Sequence, residues 1–258
     1  MREGMRPGMA SLQIHEEHDR VLAGIDRPET RNALDHELVR ELHALCDTLE
    51  GSPRILVITG TQHDPNPVFA SGADIRELNE SRAIDALHGG LSSLFERIAR
   101  LPLPVIAAVD GFALGGGAEL ALAADFRIAT PRARFGNPET GLGIMAAGGG
   151  TFRLRRLVGD AVAAEMLLAG RILSAHEALN LHLVTEIHEP DELMSAASRL
   201  ADRIAAQDPV ALRLTKLVMR MPRSAHPMVD DIAQAVLFES AGKRERMTAF
   251  LNRQQESG

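Results

Sequence analysis

Tryptophan and tyrosine are absent from this chain, cysteine occurs once, and lysine occurs only at Lys216 and Lys243. Without Trp or Tyr the usual aromatic platform for stacking single-stranded nucleic acid is missing, although eight Phe remain. A net charge of −7 points the same way, against a nucleic-acid or anionic-membrane surface. The single Cys46 excludes an internal disulfide and fits a reducing cytoplasm. It falls within the rhythm Leu38, Leu42, Leu45, Leu49, which places it in a helix core. No apolar run approaches the roughly 18 residues of a membrane span. The opening Met1–Met9 has no apolar h-region, so it reads as a flexible extension over 1–10 rather than a secretory signal. The ten histidines form no zinc pattern, and no Walker, nucleophile-elbow or dinucleotide fingerprint occurs. No metal site is expected.

The 258 residues, 45% of them hydrophobic, can bury one large core. Apolar β-type runs recur at Val21–Ile25, Ile55–Thr59, Val105–Val109, Phe126–Thr130 and Leu183–Ile187. Helical patterns lie between most of them, at Asp35–Glu50, Ala83–Arg100, Glu119–Ala124, Ala161–Leu168 and Ser174–Asn180. Such alternation predicts an α/β fold with much parallel pairing. Beyond Asp191 the chain reads as helical throughout, over Leu193–Gln207, Pro209–Met221 and Met228–Asn252. His63–Val68, with Pro65 and Pro67, reads as a mobile loop.

Three segments carry chemistry. In Phe69-Ala-Ser-Gly-Ala-Asp-Ile75 a glycine turn precedes a polar helical stretch, and Asp74 alone could be an ordinary helix cap. Gly115-Gly-Gly-Ala-Glu119 lies between a strand end and a helix start, where unpaired amides and the helix dipole favour negative charge. The same glycines would equally permit tight packing of a helix on a sheet. Asn137-Pro-Glu139 sits in a loop. Together these provide two small-residue stretches able to present N–H groups, followed by two carboxylates. Such a set can polarise a carbonyl towards an enolate and move protons beside it.

In that order and spacing the segments resemble the enoyl-CoA hydratase/isomerase (crotonase) superfamily over nearly the whole chain. The resemblance begins at Asp26-Arg-Pro-Glu-Thr-Arg-Asn-Ala-Leu34. It continues through Gly149-Gly-Thr-Phe-Arg-Leu154 to Leu168-Ala-Gly-Arg-Ile-Leu-Ser-Ala-His-Glu-Ala178. It implies a spiral of ββα turns over 11–190 and a helical oligomerisation segment over 191–258, forming a homotrimer or a dimer of trimers. It places the oxyanion hole at the Ala73 and Gly116 amides and the catalytic carboxylates at Glu119 and Glu139. Close carboxylates would also resist joint ionisation, keeping one an acid near neutral pH. The substrate would be an acyl-CoA, with coenzyme A part of the thioester and no permanently bound cofactor. The expected CoA- and substrate-binding set is Arg27, Arg31, Ala70, Asp74, Ile75, Arg76, Gly115 and Lys243, the cations offsetting phosphate charge.

Two departures bear on activity. Family hydratases carry Pro-Gly before Gly-Gly-Thr, where this chain has Ala146-Ala147; alanine does not adopt positive φ cheaply, so the loop lining the acyl pocket would differ in shape. Glu245-Arg246 stands where Glu-Gly is common. Hydration of a trans-2-enoyl-CoA, Δ3,Δ2 double-bond isomerisation, other thioester chemistry and a catalytically decayed CoA-ester binder all remain open at this point.

Overall fold

The computed structural model describes residues 11–61 and 67–256. The extension over 1–10 and most of the loop read at His63–Val68 lie outside them. Three sheets organise the described residues. A six-stranded sheet holds β1 (Leu12–Glu16), β2 (Arg20–Ile25), β4 (Ile55–Gly60), β7 (Val105–Val109), β9 (Phe126–Ala129) and β12 (Glu186–Ile187) in that order. Only β1 runs antiparallel to its neighbour. A four-stranded sheet holds β11 (Ile172–Ser174), β10 (Arg134–Gly136), β8 (Phe112–Leu114) and β5 (Val68–Ala70). The third pairs β3 (Ala33–Leu34) with β6 (Gly72–Ala73) in parallel.

Three strands of the first sheet are each followed by a short strand of the second and then by helix, while β2 leads into β3 of the third sheet. This repeats at β4/β5, β7/β8 and β9/β10, and it is the spiral of ββα turns. Gly111 makes one pivot, between β7 and β8, with φ +70; a Cβ there would fall 1.8 Å from the Pro67 carbonyl oxygen. The buried Asp110 carboxylate beside it takes Thr130 Oγ1 and Arg132, tying one turn of the spiral to the next.

β4 and β7 are buried on both faces, as parallel strands covered on both sides are. Val105, Ala107 and Val109 of β7 join Leu56 and Ile58 of β4 in the larger core, with the Leu38, Leu42, Leu45, Cys46 and Leu49 stripe of α1 (His36–Gly51). The alternate residues Ile55, Val57, Ile106 and Ala108 face the other way, under Leu193, Ala197, Leu200 and Ile204 of α8 (Leu193–Ala205). This first helix after Asp191 therefore packs on the sheet of its own chain.

The remaining helices are α2 (Ile75–Glu80), α3 (Ala83–Leu87), α4 (Gly90–Ala99), α5 (Gly116–Ala123), α6 (Gly150–Ala169), α7 (Ala175–Asn180), α9 (Pro209–Met219), α10 (Met228–Phe238) and α11 (Ala241–Glu256). Several differ from the sequence expectation for visible reasons. The helix read over Ala83–Arg100 breaks into α3 and α4 at Gly89, which is left-handed at φ 91. That read over Met228–Asn252 breaks after Phe238, where the Ser240 hydroxyl accepts the Lys243 amide and caps a new start. Ala161–Leu168 is the second half of α6, which bends at Gly159. Leu183 and Val184 are not strand, because their amides turn back to the Ala178 carbonyl at the end of α7.

Candidate active site

Ala73 ends β6, directly after Gly72, whose φ of +110 only glycine adopts readily. Asp74 then caps α2, accepting the amides of Arg76 at 2.8 Å and Glu77 at 3.3 Å. Its side chain thus does the ordinary capping work. Across from Ala73, the Gly115 amide is tied to the Gly136 carbonyl at 2.9 Å, and Gly116 opens α5. As a first-turn amide, Gly116 N–H has no partner within the helix, and it lies at the positive end of the helix dipole. A Cβ on Gly116 would lie 3.4 Å from Ala73 N and 3.5 Å from Leu34 Cδ1. A Cβ on Gly72 would lie 3.4 Å from Gly116 N. The two amides are therefore neighbours. Gly117 permits this approach: a Cβ there would fall 2.0 Å from the Ala70 carbonyl oxygen, so α5 could not seat against β5.

The carboxylates come from different turns of the spiral. Glu119, one turn into α5, is 3% exposed, and Glu139, in the 3-10 turn Glu139–Leu142 after β10, is 8% exposed. Glu119 Oε1 accepts the Gly150 amide at 2.8 Å, and the Gly148 amide also donates to this carboxylate. Glu139 Oε1 accepts from Asn137 Nδ2 at 3.2 Å. Glycines make the room: a Cβ would lie 2.6 Å from Glu119 Oε2 at Gly148, 3.1 Å from Glu119 Oε1 at Gly150, and 3.4 Å from Glu139 Oε1 at Gly115.

Glu119 titrates far above its ordinary value, pushed up to about 7. Burial is the largest cause, the charge of Glu139 adds to it, and the Gly150 and Gly148 amides and Arg153 oppose it. The repulsion expected from the sequence is present, but desolvation outweighs it. Below about pH 4.5 both the folded and unfolded chain hold this proton; between there and about 7 only the folded chain does, so stability falls as pH rises through that window. The free energy of urea unfolding should therefore decline from pH 5 to 8 more steeply in the wild type than in Glu119→Gln, by on the order of 2–3 kcal/mol. Parallel curves for the two proteins would contradict the assigned environment.

The loop at Ala146-Ala147 does not strain these alanines. Among the described non-glycine residues only Arg31, Asn32 and His182 have positive φ. The left-handed geometry falls instead on Gly149, at φ +112, where a Cβ would lie 2.0 Å from Arg153 Nη1. Arg153 holds the loop, donating to the Gly148 carbonyl at 2.9 Å and to Glu96 at 2.7 Å. A cavity of 340 Å³ opens beside it, lined by Ser92, Ser93, Glu96, Ala147, Gly148, Gly149, Phe152 and Arg153.

The expected CoA-binding residues separate. Ala70 is buried under α5, while Ile75 is 58% exposed beside an exposed Arg76. Arg31 is exposed, and its carbonyl accepts the Ser71 amide, which sets it next to the 70–76 segment. Arg27 is engaged within the chain, paired with Asp35 and donating to the Ala33 carbonyl at 3.1 Å. Lys243 lies on α11 over the Phe238 ring at 5.2 Å, and no described contact joins it to the glutamates. Sequence reasoning did not single out Asn137, Gly148, Gly150 or Arg153 for the site. The only signal was position: Asn137 stands two residues before Glu139, Gly148 directly precedes the Gly149–Leu154 segment, and Gly150 and Arg153 fall within it.

Known proteins similar to this chain point to one family. The sequence model of the family described as enoyl-CoA hydratase/isomerase matches residues 21–257. The short-chain-enoyl-CoA hydratase of Clostridium acetobutylicum is 38% identical, over 91% of this chain and 92% of that protein. The crotonyl-CoA hydratase of Syntrophomonas wolfei is 35% identical over 94% and 95%. A crystal structure of enoyl-CoA hydratase from Bacillus anthracis superposes with a TM-score of 0.87 at 30% identity, over 94% of this chain and 96% of that one. With two neighbouring amides at Ala73 and Gly116, two buried glutamates and this extent of match, the chain belongs to the enoyl-CoA hydratase/isomerase family, the crotonase superfamily.

Proposed function

We propose that the chain catalyses the reversible syn addition of water to a trans-2-enoyl-CoA, giving a 3-hydroxyacyl-CoA. The observation that carries this reading is the presence of both buried glutamates, one from α5 and one from the loop after β10, beside the Ala73 and Gly116 amides. The thioester oxygen would sit against those amides and hold the negative charge that develops as water attacks C3. One carboxylate takes the water's proton and the other carboxyl delivers a proton to C2. With Glu119 raised to about 7, a carboxyl and a carboxylate can coexist near neutral pH.

Arg31, Arg76 and Ile75, exposed beside the Ala73 segment, are assigned to coenzyme A, with Ala70, Asp74 and Gly115 shaping the backbone around its thioester end. Arg27 orders the Asp26–Leu34 turn through Asp35, and Lys243 would reach coenzyme A only in the assembled protein. The enzyme would be cytoplasmic and need no bound cofactor. Names of the relatives favour a short acyl chain, so crotonyl-CoA is the first substrate to try. Loss of enoyl-thioester absorbance on mixing supports the reading. Turnover of a 3-enoyl-CoA alone would instead identify an isomerase, and no turnover of either a non-enzymatic binder.

Assembly is part of the proposal. The helices after α8 expose Leu217, Met219, Met228, Ile232, Val236 and Phe250, an apolar surface that a family of trimers would bury between subunits. The protein should elute with light scattering as a trimer or hexamer. Truncation after Asp208, which keeps α8, should give dissociated or insoluble material. A well-behaved full-length monomer at micromolar concentration would rule this out.

A further inference from the structure

Two oxygens in the site lack a donor. Asn137 Oδ1 and Glu139 Oε2 are buried and accept no hydrogen bond among the described residues. Leaving such a group unpaired costs about 1–3 kcal/mol, so a buried orphan calls for an explanation. Both are acceptors, and whatever completes them must bring O–H or N–H groups. The opposite ends of the same two groups are already used. Asn137, 1% exposed, donates through Nδ2 to Glu139 Oε1 at 3.2 Å and to the Gly115 carbonyl at 3.4 Å. That carbonyl also takes the Glu119 amide at 3.0 Å, so one carboxamide links Glu139 to the start of α5.

Resting on the hydration reading, we propose that Asn137 is a further catalytic residue: it holds Glu139 by Oε1, leaving Oε2 for the reacting water, and touches that water itself with its own Oδ1 as the second acceptor. A water has two O–H groups for two acceptors. Of the charged groups nearby, Glu119 from α5 interacts with Glu139, and Arg153 from α6 acts on Glu119.

The test compares full-length Asn137→Ala, Asn137→Asp and Glu139→Gln with wild type in hydration of crotonyl-CoA from pH 5 to 9, with assembly checked by elution. Asn137→Ala should lower kcat by about ten- to a hundredfold, the loss expected for a hydrogen bond to a charged group, with KM within about twofold. Asn137→Asp should also move the pH–rate profile upwards by about one unit, because a third carboxylate opposes ionisation of the pair. Assembled variants with wild-type kcat and an unmoved profile would overturn the proposal, as would a loss confined to KM. Should Asn137→Asp fail to assemble, the kcat and profile of Asn137→Ala decide alone. A full-rate Glu139→Gln would sink the hydration reading itself; an inactive Glu139→Gln beside a full-rate Asn137→Ala would sink only the role of Asn137.

Discussion

Glu119→Gln and Glu139→Gln should each slow hydration of crotonyl-CoA by about 10²–10⁴-fold, the usual contribution of a general acid or base, while CoA-ester binding stays largely intact. The structure makes this a clean comparison. Glutamine at 119 keeps an oxygen for the Gly150 amide, and glutamine at 139 keeps one for Asn137 Nδ2. Shape and packing are retained, so what is lost is the ability to carry a proton. The effect should fall on kcat rather than KM, since neither carboxylate is asked to hold coenzyme A. Unchanged hydration in both variants would remove the glutamates from the chemistry and leave the site without an acid or base.

Gly116→Val should be comparably severe, and for a different reason. The proposed donor there is a backbone amide, so no side-chain deletion can remove it, but an added side chain can block it. The Cβ would lie 3.4 Å from Ala73 N and 3.1 Å from Leu91 Cδ1, and the two γ-methyls must occupy the space beside the paired amides. A thioester oxygen excluded from that space loses its stabilisation, worth about 10²–10³-fold for one such donor. Both 2-enoyl and 3-enoyl substrates should be affected, because either route passes through an enolate-like state. Ala73→Pro tests the other amide by deleting its N–H. Circular dichroism and elution volume would establish that the variants fold and assemble. Folded variants at both positions with wild-type rates would mean that Ala73 and Gly116 do not form the hole.

The parts of the fold legible in the sequence were those with enough length to show a period. Val105–Val109 reads as a buried strand because every residue is apolar, and the α1 stripe around Cys46 because five residues repeat at helical spacing. The second sheet was not legible. Its strands β5, β8, β10 and β11 have three residues each, too few for alternation to register, and they exist because neighbouring turns of the spiral supply their partners. Glycine misled at Gly89, where a helical pattern continues through a left-handed residue that ends it.

In the site, the helix start that carries Gly116 and Glu119 was legible because it is local, while the roles given to them came from the family resemblance. The contacts of Asn137 could not be read, since a carboxamide before proline reads as a turn residue and its partner Gly115 meets it only after β8 and β10 have paired. For Arg27 the charge was legible, but its pairing with Asp35 was not, because that contact forms only when the Asp26–Leu34 turn folds.

Mixing the protein with crotonyl-CoA in ¹⁸O-enriched water, followed by mass analysis of the products, tests the central claim most directly. The account predicts a 3-hydroxyacyl-CoA with one labelled oxygen on C3, formed rapidly by the wild type and far more slowly by Glu119→Gln and Glu139→Gln. Unconsumed crotonyl-CoA, a double bond moved without uptake of label, or label in a free carboxylic acid with release of the CoA thiol would each contradict it.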